Sequence, residues 1–218
     1  MGTIRPEDAA NYLISLYNRT AYQRDKAKLQ KDVIYADLTY YAVKKERMLA
    51  EDVVTATARG LSIDRLSYGI YDYVVNTQNK CGVIDSDEIS DESLVLFDPG
   101  YPTYKYDEGT LTEEQESFLY FIFLNLGAYS GEDLTVMSKE TKLWKEARIG
   151  KDETQNPSIT SDMYDDFLVA MNINNGMSDD KKKENIVQYL KKLLTEKREK
   201  DNQKYDEIIK GQLGSILG

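Results

Sequence analysis

The chain has 218 residues, with 28 Lys and Arg against 38 Asp and Glu, a formal charge of −10, one cysteine and no histidine. That balance opposes general binding to phosphate backbones, which needs clustered cations to displace condensed counterions, and it favours solubility and a basic partner. The absence of histidine removes the commonest acid/base at neutral pH, the usual orienter of Ser or Cys nucleophiles and the commonest zinc ligand.

The length predicts one core with an extension: a compact, mainly α multi-helix domain over residues 1–175 and a charged amphipathic helical extension over 176–218. A first helix is expected from Pro6, tolerated at the first helical position, with Glu7 and Asp8 complementing the positive helix end. Ala9, Ala10, Leu13, Leu16 and Tyr17 form its apolar face. A second helix is expected from about Ala27 to Lys45, with Leu29, Val33, Ala36, Tyr40 and Val43 inside and Lys28, Lys31, Lys44 and Lys45 outside.

Ala50 to Arg59 reads as helical or extended. Gly60 interrupts it, and Ser62 is expected to cap a third helix carrying Ile63, Leu66, Ile70, Tyr73 and Val74. That helix ends at Lys80-Cys81-Gly82. Cys81, the lone cysteine, can form no internal bridge, which fits a reducing compartment. Short β-compatible runs broken by acids and by Asp98-Pro99-Gly100 then predict a small β-hairpin or loop insertion near 82–109.

Thr110 and Glu113 read as a capping box for a helix carrying Leu119, Ile122, Phe123 and Leu126 and stopping at Gly127. Ser130 and Asp133 repeat the device for Leu134 and Met137. Trp144 and Ala147 follow, then a polar loop from Gly150 to Ser158, then a helix with Met163, Phe167, Ala170 and Met171. From Ser178 the chain is highly charged, yet Ile186, Leu190, Leu193, Leu194, Tyr205, Ile208 and Ile209 keep helical spacing, in one amphipathic helix or two. Because an isolated helix is marginal in water, that stripe needs cover from the domain, from a second copy in a homo-oligomer, or from a partner. No apolar run approaches the roughly 20 residues of a membrane helix, so no membrane association and a cytoplasmic location are expected.

The catalytic and metal motifs are thin. Asp85-Ser86-Asp87-Glu88 with Asp91-Glu92 has the oxygen ligands of a calcium loop, but Ser90 stands where the turn glycine belongs. Asp162, Asp165 and Asp166 could share a divalent ion only with a second ligand set. Ser178-Asp179-Asp180-Lys181 reads as a helix cap, and no phosphate-cradling glycine pattern is present. Neither enzymatic activity nor a cofactor is therefore expected. Tyr101, Tyr104 and Tyr106, rigid aromatics around Pro102, and Trp144, the single tryptophan, are the candidate partner contacts, with Leu190 and Leu194 on the tail.

Three ordered blocks carry a family likeness. They are Asp8-Ala9-Ala10-Asn11-Tyr12-Leu13; Lys28-Leu29-Gln30-Lys31 with Val33, Tyr35, Ala36, Tyr40 and Ala42; and Leu126-Gly127-Ala128-Tyr129-Ser130-Gly131-Glu132-Asp133-Leu134 with Ser138 and Trp144-Lys145-Glu146-Ala147-Arg148. Together, over roughly residues 7 to 170, they resemble the SocA/Panacea family, also described as phage-associated proteins of the GepA type. The chain departs from that pattern at Ala56 to Ser62, at Asp32, and at Lys139 and Leu143. The resemblance implies an antitoxin that neutralises a toxin by direct contact, or an adaptor that delivers one to a protease, often on a phage or other mobile element. A second expectation is an acidic phage-encoded inhibitor that imitates nucleic-acid charge through Asp85 to Glu92 and Glu113 to Glu116.

Overall fold

A computed structural model describes residues 3–17, 20, 22, 26–51, 53–66 and 109–217, with the backbone alone for 206, 207 and 209–217. Cys81, Ile70, Tyr73, Val74, the acidic run from Asp85 to Glu92, the insertion expected near 82–109 except Gly109, and Tyr101, Tyr104 and Tyr106 lie outside the described residues. The described chain is mainly α. Helices α1 (Pro6–Tyr17) and α2 (Lys26–Lys44) lead into a hairpin of β1 (Val54–Thr57) and β2 (Gly60–Ile63) and a short 3-10 turn (Asp64–Leu66). There follow α3 (Glu113–Leu126), α4 (Gly131–Glu140), α5 (Lys142–Ala147), α6 (Ser161–Ala170) and α7 (Asp179–Leu217).

Helix α2 is the centre of the fold, packed by α1, α3, α4, α6, α7 and β2. It is buried on every face from Lys28 to Ala42. Around it a single core collects Leu13 and Ile14 of α1, Leu119 and Ile122 of α3, Leu134 and Met137 of α4, Phe167 of α6, and Ile186 and Leu190 of α7. Edge-to-face rings lock the seams: Tyr17 on Phe123 and Tyr40 on Phe118, both with centroids 5.0 Å apart, and Phe167 on Tyr189 at 5.5 Å.

Two local readings need correction. Ser62 caps no helix: it lies in β2, opposite Thr55 in a register that runs Val54 to Ile63 and Ala56 to Leu61. The apolar residues Val54, Ala56, Leu61 and Ile63, two apart on each strand, all face the core, which is the period of a strand rather than of a helix. The first capping box also sits two residues later than expected. Thr112 accepts from the Gln115 amide and the Gln115 side chain accepts from the Thr112 amide, and the helix begins at Glu113, so Thr110 lies outside it. The Ser130 and Asp133 box is as expected.

Strand β1 is also flanked on its other side. Ala56 donates its amide to Pro157 and Ile159 donates to Val54, both at 2.8 Å, which ties the 150–158 loop to the hairpin. Arg148 strengthens that tie by donating to the carbonyls of Ala56, Asp152 and Gln155.

Gly60 turns the hairpin at φ +110°, a region that side chains oppose. A Cβ there would lie 2.9 Å from Ser138 Oγ, the atom that accepts the Leu61 amide at 2.7 Å. Gly60→Ala is expected to lose about 1–3 kcal/mol in urea unfolding; a loss below about 0.5 kcal/mol would contradict this account of the turn.

Candidate functional site

The polar residues of the Lys28-Leu29-Gln30-Lys31 block are buried, against the expectation that Lys28 and Lys31 stay outside. The reason is that each finds a backbone group in a neighbouring element. Lys28 Nζ donates to the Tyr129 carbonyl at 2.6 Å and the Leu126 carbonyl at 3.4 Å, closing the C-terminus of α3, where cations are favoured. Lys31 Nζ donates to the Leu61 carbonyl. Gln30 Nε2 donates to the Leu66 carbonyl at 3.1 Å, while its Oε1 accepts from Ser62 Oγ at 2.9 Å and from the Ile63 amide at 3.4 Å.

Gln30, Lys31 and Ser138 therefore cap the outer edge of β2, a row of backbone groups that would otherwise invite another strand. Asp32 sits 4.0 Å from Lys28 Nζ and accepts from Tyr17 Oη at 2.6 Å, so it counters the buried ammonium. Tyr35 donates to the Leu134 carbonyl at 2.9 Å; burial first, then the Asp32 charge, pushes its phenol well above the ordinary range.

A second buried cluster fastens the far end of α2. Asp37 accepts from the Met48 and Leu49 amides at 2.8 and 2.9 Å, from Arg47 Nε at 2.7 Å and from Tyr164 Oη at 3.0 Å. Burial pushes its carboxyl above the ordinary range, against the opposing pull of the Arg47 guanidinium and the hydrogen bonds. Arg47 also lies over the Tyr164 ring, 4.2 Å from its centroid, and donates to the Ile159 carbonyl at 3.1 Å. With four donors on one carboxylate, this cluster is a clasp rather than an acid poised to react.

Between the first turn of α2, the β1–β2 turn, α4 and the 150–158 loop lies a polar cleft of about 750 Å³. Lys26, Lys31, Arg59 and Lys139 bring four cations to it, against Asp64 and Glu153. Gln30, Thr57, Ser62, Thr135 and Asn156 add hydroxyl and amide groups. Sequence reasoning missed this cleft because its walls come from segments more than a hundred residues apart. The available signal was Arg59 beside Gly60, a cation on the tip of a tight turn.

Of the expected partner contacts, Trp144 is an internal anchor: its indole donates to the Thr57 carbonyl at 2.8 Å, and the Lys139 ammonium sits 5.6 Å from its ring centroid. Leu190 and Leu194 are 0% and 3% exposed and belong to the chain's own core, so they offer no surface to a partner. Glu114 is ion-paired with Lys44, and Glu113, Glu114 and Glu116 occupy the first turn of α3, where negative charge is favoured.

Asp165 accepts from Lys45 Nζ at 2.8 Å and from Tyr41 Oη at 3.0 Å. The Lys45 bond holds its carboxyl below the ordinary range, while burial and then Asp165 push the Tyr41 phenol up to about 12. Because the folded carboxyl is depressed, the stability it contributes is present above the unfolded carboxylate pKa and is lost as pH falls through the folded value. Asp165→Asn is expected to cost less than about 1 kcal/mol at neutral pH and nothing in acid; urea titrations at the two pH values check it. Among the described residues no three Cys, Asp or Glu side chains converge in a way that could hold a metal ion.

Helix α7, about 58 Å long, divides in function along its length. Its first half supplies Ile186, Val187, Leu190 and Leu194 to the core, and Arg198 is tied to Asp133 at 2.6 Å. Beyond that tie the described side chains are exposed, with Tyr205 and Ile208 at 65% and 49%, one turn apart. No described helix is long and apolar enough to cross a membrane. No family model, curated protein or solved structure matches the chain.

Proposed function

We propose that this is a protein-binding module of the SocA/Panacea kind, a cytoplasmic antitoxin or sequestering factor that neutralises a partner protein by direct contact. The observation that carries the reading is the distal half of α7, which continues past its last core residue and leaves Tyr205 and Ile208 in solvent. Isolated helix is marginal in water, and an aromatic and an aliphatic side chain one turn apart suit a helix that seats in a groove of another protein. The three ordered sequence blocks support the family assignment, and the clasping role of Lys28, Gln30 and Lys31 gives the second block a reason to be polar inside a core.

The test is co-expression with the product of the neighbouring gene, with the full chain and with a chain ending at Glu199. Relief of the neighbour's toxicity and co-purification with the full chain, both lost in the shorter one, are expected. A neighbour that is harmless alone and never co-purifies would remove the antitoxin reading.

A further inference from the structure

We propose that the cleft between α2, the β1–β2 turn and α4 binds an acidic, carboxylate-bearing peptide segment of a partner protein; this deepens the protein-binding reading and rests on it. The chain as a whole is strongly acidic, yet among the described residues lining this cleft Lys26, Arg59 and Lys139, with Lys31 buried beneath on the Leu61 carbonyl, stand against only Asp64 and Glu153. A concave wall with an excess of one sign focuses its field and raises the local concentration of the opposite charge. Arg59 is exposed on the turn, and neither it nor Lys139 has a carboxylate partner among the described residues. Gly60 sets the turn that carries Arg59, and the Trp144 ring, itself pinned to the Thr57 carbonyl, supports the Lys139 ammonium.

The lining also speaks to the kind of anion. Cations stand on three walls, Lys26 on α2, Arg59 on the turn and Lys139 on α4, an arrangement suited to several carboxylates along an extended chain. Gln30, Thr57, Ser62, Thr135 and Asn156 between them supply both donors and acceptors, which a peptide backbone needs. Among the described lining residues there is no aromatic ring on which a nucleobase could stack.

The experiment is fluorescence anisotropy of a short fluorescein-labelled poly-glutamate peptide with the full chain, the Arg59→Glu/Lys139→Glu variant and a charge-matched Lys181→Glu/Lys192→Glu control on α7. Expected is binding that weakens with salt, falls at least about tenfold in the cleft variant and is unchanged in the control. Thermal melts establish that both variants fold. No binding, an equal loss in the control, or displacement of the peptide by stoichiometric pyrophosphate at the same residues would overturn the assignment. This readout is independent of the co-purification, so a failed cleft and a failed protein-binding reading are distinguishable.

Discussion

Asp37→Ala is expected to destabilise the fold by about 3–5 kcal/mol, the cost of leaving a buried charge without its partner. Asp37 is fully buried, and its carboxylate satisfies the Arg47 guanidinium, the Met48 and Leu49 amides and the Tyr164 phenol together. Truncation to alanine leaves the guanidinium, itself 5% exposed, and two backbone donors without that acceptor. Asn in the same place keeps an acceptor for the two amides but loses the charge, so Asp37→Asn should fall between wild type and alanine. Urea unfolding followed by circular dichroism reads both; an alanine variant within about 1 kcal/mol of wild type would show that the cluster contributes packing and little else.

The second large effect separates the two halves of α7. A chain ending at Gly176 loses Ile186, Val187, Leu190 and Leu194, all buried in the common core. Large apolar side chains cost about 2–5 kcal/mol each when truncated, and a domain is typically stable by only about 5–15 kcal/mol. That chain is expected to show no cooperative thermal transition. A chain ending at Glu199 keeps these residues and the Arg198 to Asp133 tie, and is expected to melt within about 3 °C of the full chain. Equal melting of the full chain and the chain ending at Gly176 would mean that α7 is not a structural part of the domain.

Part of this architecture is written in local sequence signals. The start of α1 at Pro6, the Ser130 and Asp133 capping box and the helical spacing of Ile186, Leu190 and Leu194 are local signals, set by backbone hydrogen bonding and side-chain periodicity within a few residues. The hairpin has a weaker signal, the alternation of Val54, Ala56, Leu61 and Ile63 around Gly60, with which the helical spacing from Ile63 onward competes, so Ser62 reads as a helix cap instead. The Thr110 and Thr112 boxes are locally equivalent in pattern, and the chain uses the one at Thr112.

Local pattern alone thus specifies a mainly helical, acidic, histidine-free chain whose charged tail carries an apolar stripe. Tertiary structure decided which charges are inside and what that stripe covers. Lys28, Lys31, Asp32 and Asp37 are buried because α2 is surrounded on every side, and each finds its partner in an element far along the chain or one helical turn away. The cationic cleft has the same origin: Lys26, Arg59 and Lys139 are unremarked surface cations until packing of α2, the hairpin and α4 brings them to one wall-lined space. Local propensity acts through neighbours in sequence, whereas burial and field depend on neighbours in space.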